Sequence, residues 1–338
     1  MIIGLIIILI LVLLLPFTIK TVEENLEAFL FLMGLAAAIT SRVLNRDLFF
    51  KALEDPIHIT LAVLIAGLLF RWLQKPVEKG ILGVSNSIPT RLFFALIVII
   101  LGLISSVITA IIAAIILVTI VSILKLDRKS ELRLVVLACF SIGLGATLTP
   151  IGEPLSTIAT SKLNEDFFYL LRLVGSHIIP AVLIFGILAA ILVHPKKDEN
   201  GLGASLETES YMEICIRALK IYLFVMGLTL LGAGFEPLIN KYILGLSPLI
   251  LYWINMLSAI LDNATLAAAE ISPSMDEPTI KAILLGLLIS GGMLIQGNIP
   301  NIISAGKLNI TSREWARFAF PIGLAAMVVY FIVILIFG

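Results

Sequence analysis

The sequence predicts an all-α polytopic membrane protein: an inverted-topology repeat with two re-entrant hairpins and two broken helices. Three observations carry that expectation. The 338 residues are 60% hydrophobic and only 14% charged. Several apolar runs are long enough to cross a hydrocarbon core about 30 Å thick. Two of those runs are interrupted midway by polar and helix-breaking residues. A soluble domain carries about 25% charged residues, so this composition, with a mean hydropathy of +1.12, excludes an ordinary soluble enzyme. The 23 basic and 23 acidic residues cancel, which removes any net attraction to nucleic acid. Cys139 and Cys215 lie in apolar stretches without metal or disulfide spacing.

Two extra spans, 1–55, come first. Ile2 to Ile19 has no Lys or Arg ahead of it and no small-residue cleavage site, so it reads as a retained span, not a signal peptide. Thr21-Val22-Glu23-Glu24 reads as a capping box opening the second helix. A first unit, 56–197, then reads as span, hairpin 88–124, broken helix 131–163 and span 167–193. After a hydrophilic linker, 198–213, a second unit, 214–338, reads as span, hairpin 246–273, broken helix 278–309 and span 315–338.

Run length and local chemistry define the hairpins and breaks. As one helix, Leu92 to Leu124 would be about 50 Å long, too long for one upright crossing and too short for two. Two legs of about 15 residues each would meet at Ser105-Ser106-Val107-Ile108-Thr109-Ala110, whose hydroxyls can satisfy backbone freed at the bend. Pro248 to Ile271 repeats this in shorter form, with Ser258, Asp262, Asn263 and Thr265 placed centrally. Thr149-Pro150-Ile151-Gly152-Glu153-Pro154 and Gln296-Gly297-Asn298-Ile299-Pro300-Asn301 each unwind a helix at depth.

Sequence similarity pairs the halves. Lys79-Gly80-Ile81-Leu82-Gly83-Val84-Ser85 matches Lys241-Tyr242-Ile243-Leu244-Gly245-Leu246-Ser247 ahead of each hairpin. Lys162-Leu163-Asn164 follows Gly152 as Lys307-Leu308-Asn309 follows Gly297. Three crossings per unit would invert the second unit. The topology puts more than twice as many Lys and Arg on one side as on the other. That side is read as cytoplasmic, with both termini outside.

The apolar interior contains no Lys or Arg, yet three carboxylates fall within it: Glu153 at the first break, Asp262 at the second hairpin tip, and Glu270. Such groups are costly in hydrocarbon and point to function; they are neutralised by a proton, hydrogen bonds or a cation. Glu270, close to Pro273, reads equally well as reaching the outer interface. Asn298, Asn301, Gln296, Asn263, Thr149, Thr109 and Ser258 offer neutral oxygens of the kind a hard cation takes, or else hydrogen bonds to freed backbone. His177 reads as a packed interhelical residue. Gly145, Gly152, Gly291, Gly292 and Gly297 read as permitting close helix contact and unwound backbone.

Ser258-Ala259-Ile260-Leu261-Asp262-Asn263-Ala264-Thr265 with Gly297-Asn298-Ile299-Pro300-Asn301, and Gly145 to Thr149 with Pro150 and Gly152-Glu153-Pro154, resemble the ion transporter superfamily. They are most similar to its sodium/proton antiporter and arsenite carrier branches. The resemblance implies an inverted-repeat carrier, usually a homodimer, with a midplane site between hairpin tips and broken helices. Carried over by position, that site comprises Ser105, Ser106, Thr109, Thr149, Gly152 and Glu153 from one half, and Ser258, Asp262, Asn263, Thr265, Gly297, Asn298 and Asn301 from the other. The first tip offers hydroxyls where Asn is common in the family, and Glu153 stands where Asn is usual.

The expected function is exchange of a monovalent cation, sodium first, for protons, with Glu153 and Asp262 as shared carboxylates and no resident cofactor. The expected partners are the lipid bilayer and the small inorganic ion. The alternative is a sodium-coupled carrier or effluxer of an anion or oxyacid such as arsenite or a carboxylate. A membrane-embedded hydrolase would need a basic phosphate anchor or a Ser/His or Asp/Asp pair in register, and the sequence shows neither.

Overall fold

The computed structural model describes residues 1–57, part of 60–72, 87–194, 210–242, 246–261, 263–271, 273 and 275–337. The Lys79 to Ser85 match, most of the 198–213 linker, and Asp262 therefore lie outside the described residues. Every regular element among the described residues is helical. Four helices are long and apolar enough to cross a membrane, Thr90–Ile108, Tyr169–Leu192, Tyr211–Leu238 and Ser312–Ile336, and they make this a multi-pass membrane protein.

The chain opens with α1 (Ile2–Thr18), the short α2 (Lys20–Glu24) and α3 (Leu26–Thr40), followed by α4 over 46–57. The Thr21 to Glu24 segment does not cap α3. It lies inside α2, and the Asn25 amide donates to Thr21 O at 3.0 Å, closing that turn before α3 begins. The Asn25 side chain thus serves the end of α2, not the start of α3.

Helix α3 packs along α10 (Tyr211–Tyr242) through a seam of small residues. A Cβ on Gly34 would strike the Gly227 carbonyl, and one on Gly227 would lie 2.6 Å from Phe31 N. Such close backbone approach replaces the hydrophobic drive that lipid cannot supply. Lys220 pairs with Glu27 at 2.8 Å across the same seam, and Tyr222 ties α10 to α4 by donating to Leu53 O at 2.8 Å.

The centre of the molecule is α7 (Arg128–Ala146) and α13 (Glu277–Gly291), apolar on all sides and buried from Leu134 to Ala146 and from Ala282 to Gly291. A helix that is hydrophobic all round belongs in a core. Helix α5 (Thr90–Ile108) and α9 (Tyr169–Leu192) pack on α7, while α15 (Ser312–Phe337) packs on α13 and α7. Phe140 of α7 stacks on Phe185 of α9 with ring centroids 5.1 Å apart. Outside this core, in the turn before α9, the Arg172 guanidinium holds the Asp166 carboxyl below the usual carboxylate range.

Helices α5 and α6 (Ala110–Leu124) meet at Thr109. Their lengths differ from the expected pair of equal legs: α5 has 19 residues and α6 has 15. Gly102 and Gly186 let α5 run close to α7 and α9, and α5 stays helical through Ser105 and Ser106 until Thr109 turns the chain. The later counterpart is less regular. A short α11 (Pro248–Ile254) passes into a 3-10 turn (Asn255–Ala259), and α12 (Asn263–Glu270) follows.

Helix α7 gives way to α8 (Pro154–Leu163), and α13 to α14 (Ile299–Leu308). These two shorter helices match closely. Each has 10 residues, starts after an N-cap residue with φ −155°, Glu153 or Asn298, and ends on a left-handed asparagine, Asn164 or Asn309. Pairing then crosses between the halves of the chain: α8 packs with α12, and α14 with α6. Ile111, Ala114 and Ile115 of α6 share one small apolar cluster with Ile299 and Ile303 of α14 and Ile221 and Val225 of α10. At their far end Arg128 donates to Leu308 O at 2.9 Å and Asn309 O at 2.7 Å, and pairs with Glu314 at 2.8 Å. At the far end of the α8 and α12 pair, Lys162 Nζ donates to Ile271 O at 3.4 Å.

Candidate functional site

The two broken segments and the two turns that oppose them converge on one cavity of about 810 Å³. Four helices begin there: α6 at Thr109, Ala110 and Ile111, α8 at Glu153 and Pro154, α12 at Asn263 and Ala264, and α14 at Asn298 and Ile299. Each helix start leaves backbone N–H groups without intrahelical acceptors and carries a partial charge of about +0.5. One of these donors is used locally, since Ala110 N donates to Gly152 O at 2.8 Å and docks the α5–α6 turn on the first break.

Glu153 is the buried carboxylate among those described around this cavity, only 5% exposed. The Thr147 hydroxyl donates to its Oε1 at 2.5 Å, and the Ser156 hydroxyl accepts from its backbone N at 3.3 Å. Extended backbone at Glu153, followed by Pro154 at the first helical position, suits an N-cap, because proline has no N–H to leave unsatisfied there. Asn298 occupies the matching position before α14, buried, with Gly143 leaving room for its amide. Asn263, also buried, lines the cavity with an amide nitrogen that finds no acceptor among the described residues.

Of the residues expected at the site, Thr109, Gly152, Glu153, Asn263 and Asn298 line the cavity. Several others serve backbone instead. Ser105 donates to Gly102 O at 2.6 Å and Ile142 O at 3.0 Å, and Ser106 donates to Leu103 O at 2.7 Å. Thr149 donates to Ser106 O at 2.5 Å, Ser258 donates to Leu287 O at 2.8 Å, and the Asn301 amide donates to Gly291 O and Leu294 O, both at 2.9 Å. Gly297 supplies close backbone approach, since a Cβ there would sit 2.9 Å from Ser258 O. Asp262 is outside the described residues, as is the side chain of Thr265 on α12. Glu270 is buried, 1% exposed, and does not line the cavity.

Sequence reading overlooked the rest of the lining. Lys51, Glu54 and Asp55 of α4 and Thr229 and Glu236 of α10 come from elements outside both hairpins and breaks. Lys51, Glu54, Asp55 and Glu236 are exposed, so they form the rim and not the floor. Thr229 donates to Asp55 at 3.3 Å, joining the two rim helices. Their sequence signal is an ordinary one for helix ends near an interface. Among the described residues, no group of three or more His, Cys, Asp or Glu is placed to hold a metal together.

The turn at Thr109 is strained. Its φ of 79° and ψ of 150° fall in a region left largely to glycine, at a cost of about 1–3 kcal/mol for other residues. Its hydroxyl accepts only a 3.4 Å bond from Ile112 N in return. Thr109→Gly is expected to raise stability by about 1 kcal/mol after the entropic cost of glycine. Thermal unfolding of the purified protein measures this, and a lowered midpoint would show that the hydroxyl outweighs the strain.

Over residues 2–337 the chain matches the model of a family described as a protein of unknown function (DUF1646), and it belongs to that family. No curated protein matches it.

Proposed function

We propose that this protein is a secondary transporter that exchanges a monovalent cation, sodium first, for protons by alternating access. One observation supports it above the others: a buried carboxylate, Glu153, and the amides Asn298 and Asn263 reach one cavity from matched helix starts in both halves of the chain. A carboxylate beside amide and hydroxyl oxygens offers the hard donors that a small cation takes, and a proton competes for the same carboxylate oxygens. Helix starts around it favour the ionised form that accepts the cation.

In this reading the chain is an inverted repeat, and the turns at Thr109 and before Asn263 are tips of re-entrant hairpins. The equal lengths and caps of α8 and α14, and the cross-pairing of α6 with α14 and α8 with α12, support that arrangement. Asp262 is the second carboxylate expected in this reading, and it lies outside the described residues. The distribution of Lys and Arg supports both termini lying outside, and a homodimer is expected from the resemblance to the ion transporter superfamily.

A second reading, sodium-coupled movement of a small carboxylate or oxyanion, is favoured by a different feature. A cavity of about 810 Å³ is far larger than a bare ion, and four helix starts suit an anion. Purified protein in liposomes with an internal pH dye separates the two. Sodium or lithium gradients are expected to move protons. Uptake of arsenite or a dicarboxylate without any proton response would select the second reading.

A further inference from the structure

Glu270 takes no part in the cavity, and its surroundings are unlike those of any other carboxylate described. It ends α12, where aligned peptide dipoles place partial negative charge and disfavour an ionised carboxylate. It is 1% exposed, and neither of its oxygens has a hydrogen-bond partner among the described residues. An ionised carboxylate left this way would carry the desolvation penalty in full.

Asn255 faces it from the 3-10 turn. This amide is 0% exposed; its nitrogen makes one long bond to Ile283 O at 3.4 Å, and its Oδ1 has no donor. An amide with one unpaired atom therefore stands beside the carboxyl group. With the amide turned so that Oδ1 faces Glu270, a single proton on Glu270 would give that oxygen its donor and remove the buried charge.

The elements packed on α12 bring few other charges. From α8, Lys162 donates to Ile271 O, the carbonyl next along the chain. From α10, Glu236 lines the cavity; from α13, Glu277 and Lys281 lie in the first turns. The 3-10 turn contributes Asn255 alone.

We propose that Glu270 is a second proton-binding site, loaded in this conformation and shared with Asn255 about 10 Å along α12 from the cavity-lining Asn263. Lys162, one residue beyond, is placed to meet the ionised group if α12 shifts against α8. That release step rests on the transport reading above; the bound proton does not.

The test is infrared spectroscopy of the full-length protein in lipid vesicles at neutral pH, read at the carbonyl stretch of a protonated carboxyl group. The wild type is expected to show such a band, Glu270→Gln to lose it, and Asn255→Ala to keep it at a shifted frequency. A spectrum unchanged by Glu270→Gln overturns the proposal. If Glu270→Gln does not fold, Asn255→Ala decides, because a carboxyl band that does not move shows that Asn255 is not its partner. None of these readouts depends on transport, so a failure of the exchange assay and a failure of this site are separately visible.

Discussion

Glu153→Gln is expected to raise the cation concentration needed for half-maximal transport by roughly two orders of magnitude, equivalent to about 3 kcal/mol. The substitution keeps the volume of a residue that is 5% exposed and leaves its backbone bond to the Ser156 hydroxyl intact. What it removes is charge. An amide oxygen can still meet a cation, but it cannot neutralise one, and it cannot exchange a proton for one. Thr147→Val should act in the same direction and less strongly, by about 1.5 kcal/mol, because Thr147 donates to the carboxylate at 2.5 Å and so favours its ionised form. If the carboxylate is the shared site, lowering the pH should weaken cation binding in the wild type and not in Glu153→Gln. Sodium-dependent thermal protection measured across a pH series reads both effects without transport. Equal protection of wild type and Glu153→Gln would remove Glu153 from the site.

The second large effect is expected at Gly145. A Cβ there would fall within the van der Waals envelope of the Gly102 carbonyl where α7 crosses α5. Backbone cannot swing away as a flexible side chain can, so Gly145→Ala should cost at least the upper part of the usual overpacking range, about 3 kcal/mol. Gly306→Ala makes the control. Nothing lies within 4 Å of the added methyl on α14, and alanine is the better helix former by about 1 kcal/mol. Thermal midpoints in one detergent should fall by several degrees for the first and hold or rise for the second. A tolerated Gly145→Ala would mean that α5 and α7 are less closely apposed than described.

Class and interruptions were legible because their physics is local. Pro150, Gly152 and Pro154 cannot continue α7, and Asn298 with Pro300 does the same for α13; composition alone placed the chain in a bilayer. The asymmetry of α5 and α6 was not legible. Run length divides evenly on paper, whereas α5 continues to Ile108 and packs closely on α7 and α9 at Gly102 and Gly186. The candidate site was readable in part for a related reason. Ser105, Ser106, Thr149, Ser258 and Asn301 have the right chemistry for a cation, but each donates to a nearby backbone carbonyl instead. The rim residues Lys51, Glu54, Asp55 and Glu236 enter only through the packing of α4 and α10, which no motif announces.

The exchange of partners between α6 and α14 and between α8 and α12 has a mechanical consequence. Arg128 fastens the end of one pair, and Lys162 links the ends of the other. Each half of the chain therefore lends the other the helix that completes its pair. In the exchange reading proposed above, a displacement begun at either turn would have to be carried by both halves together.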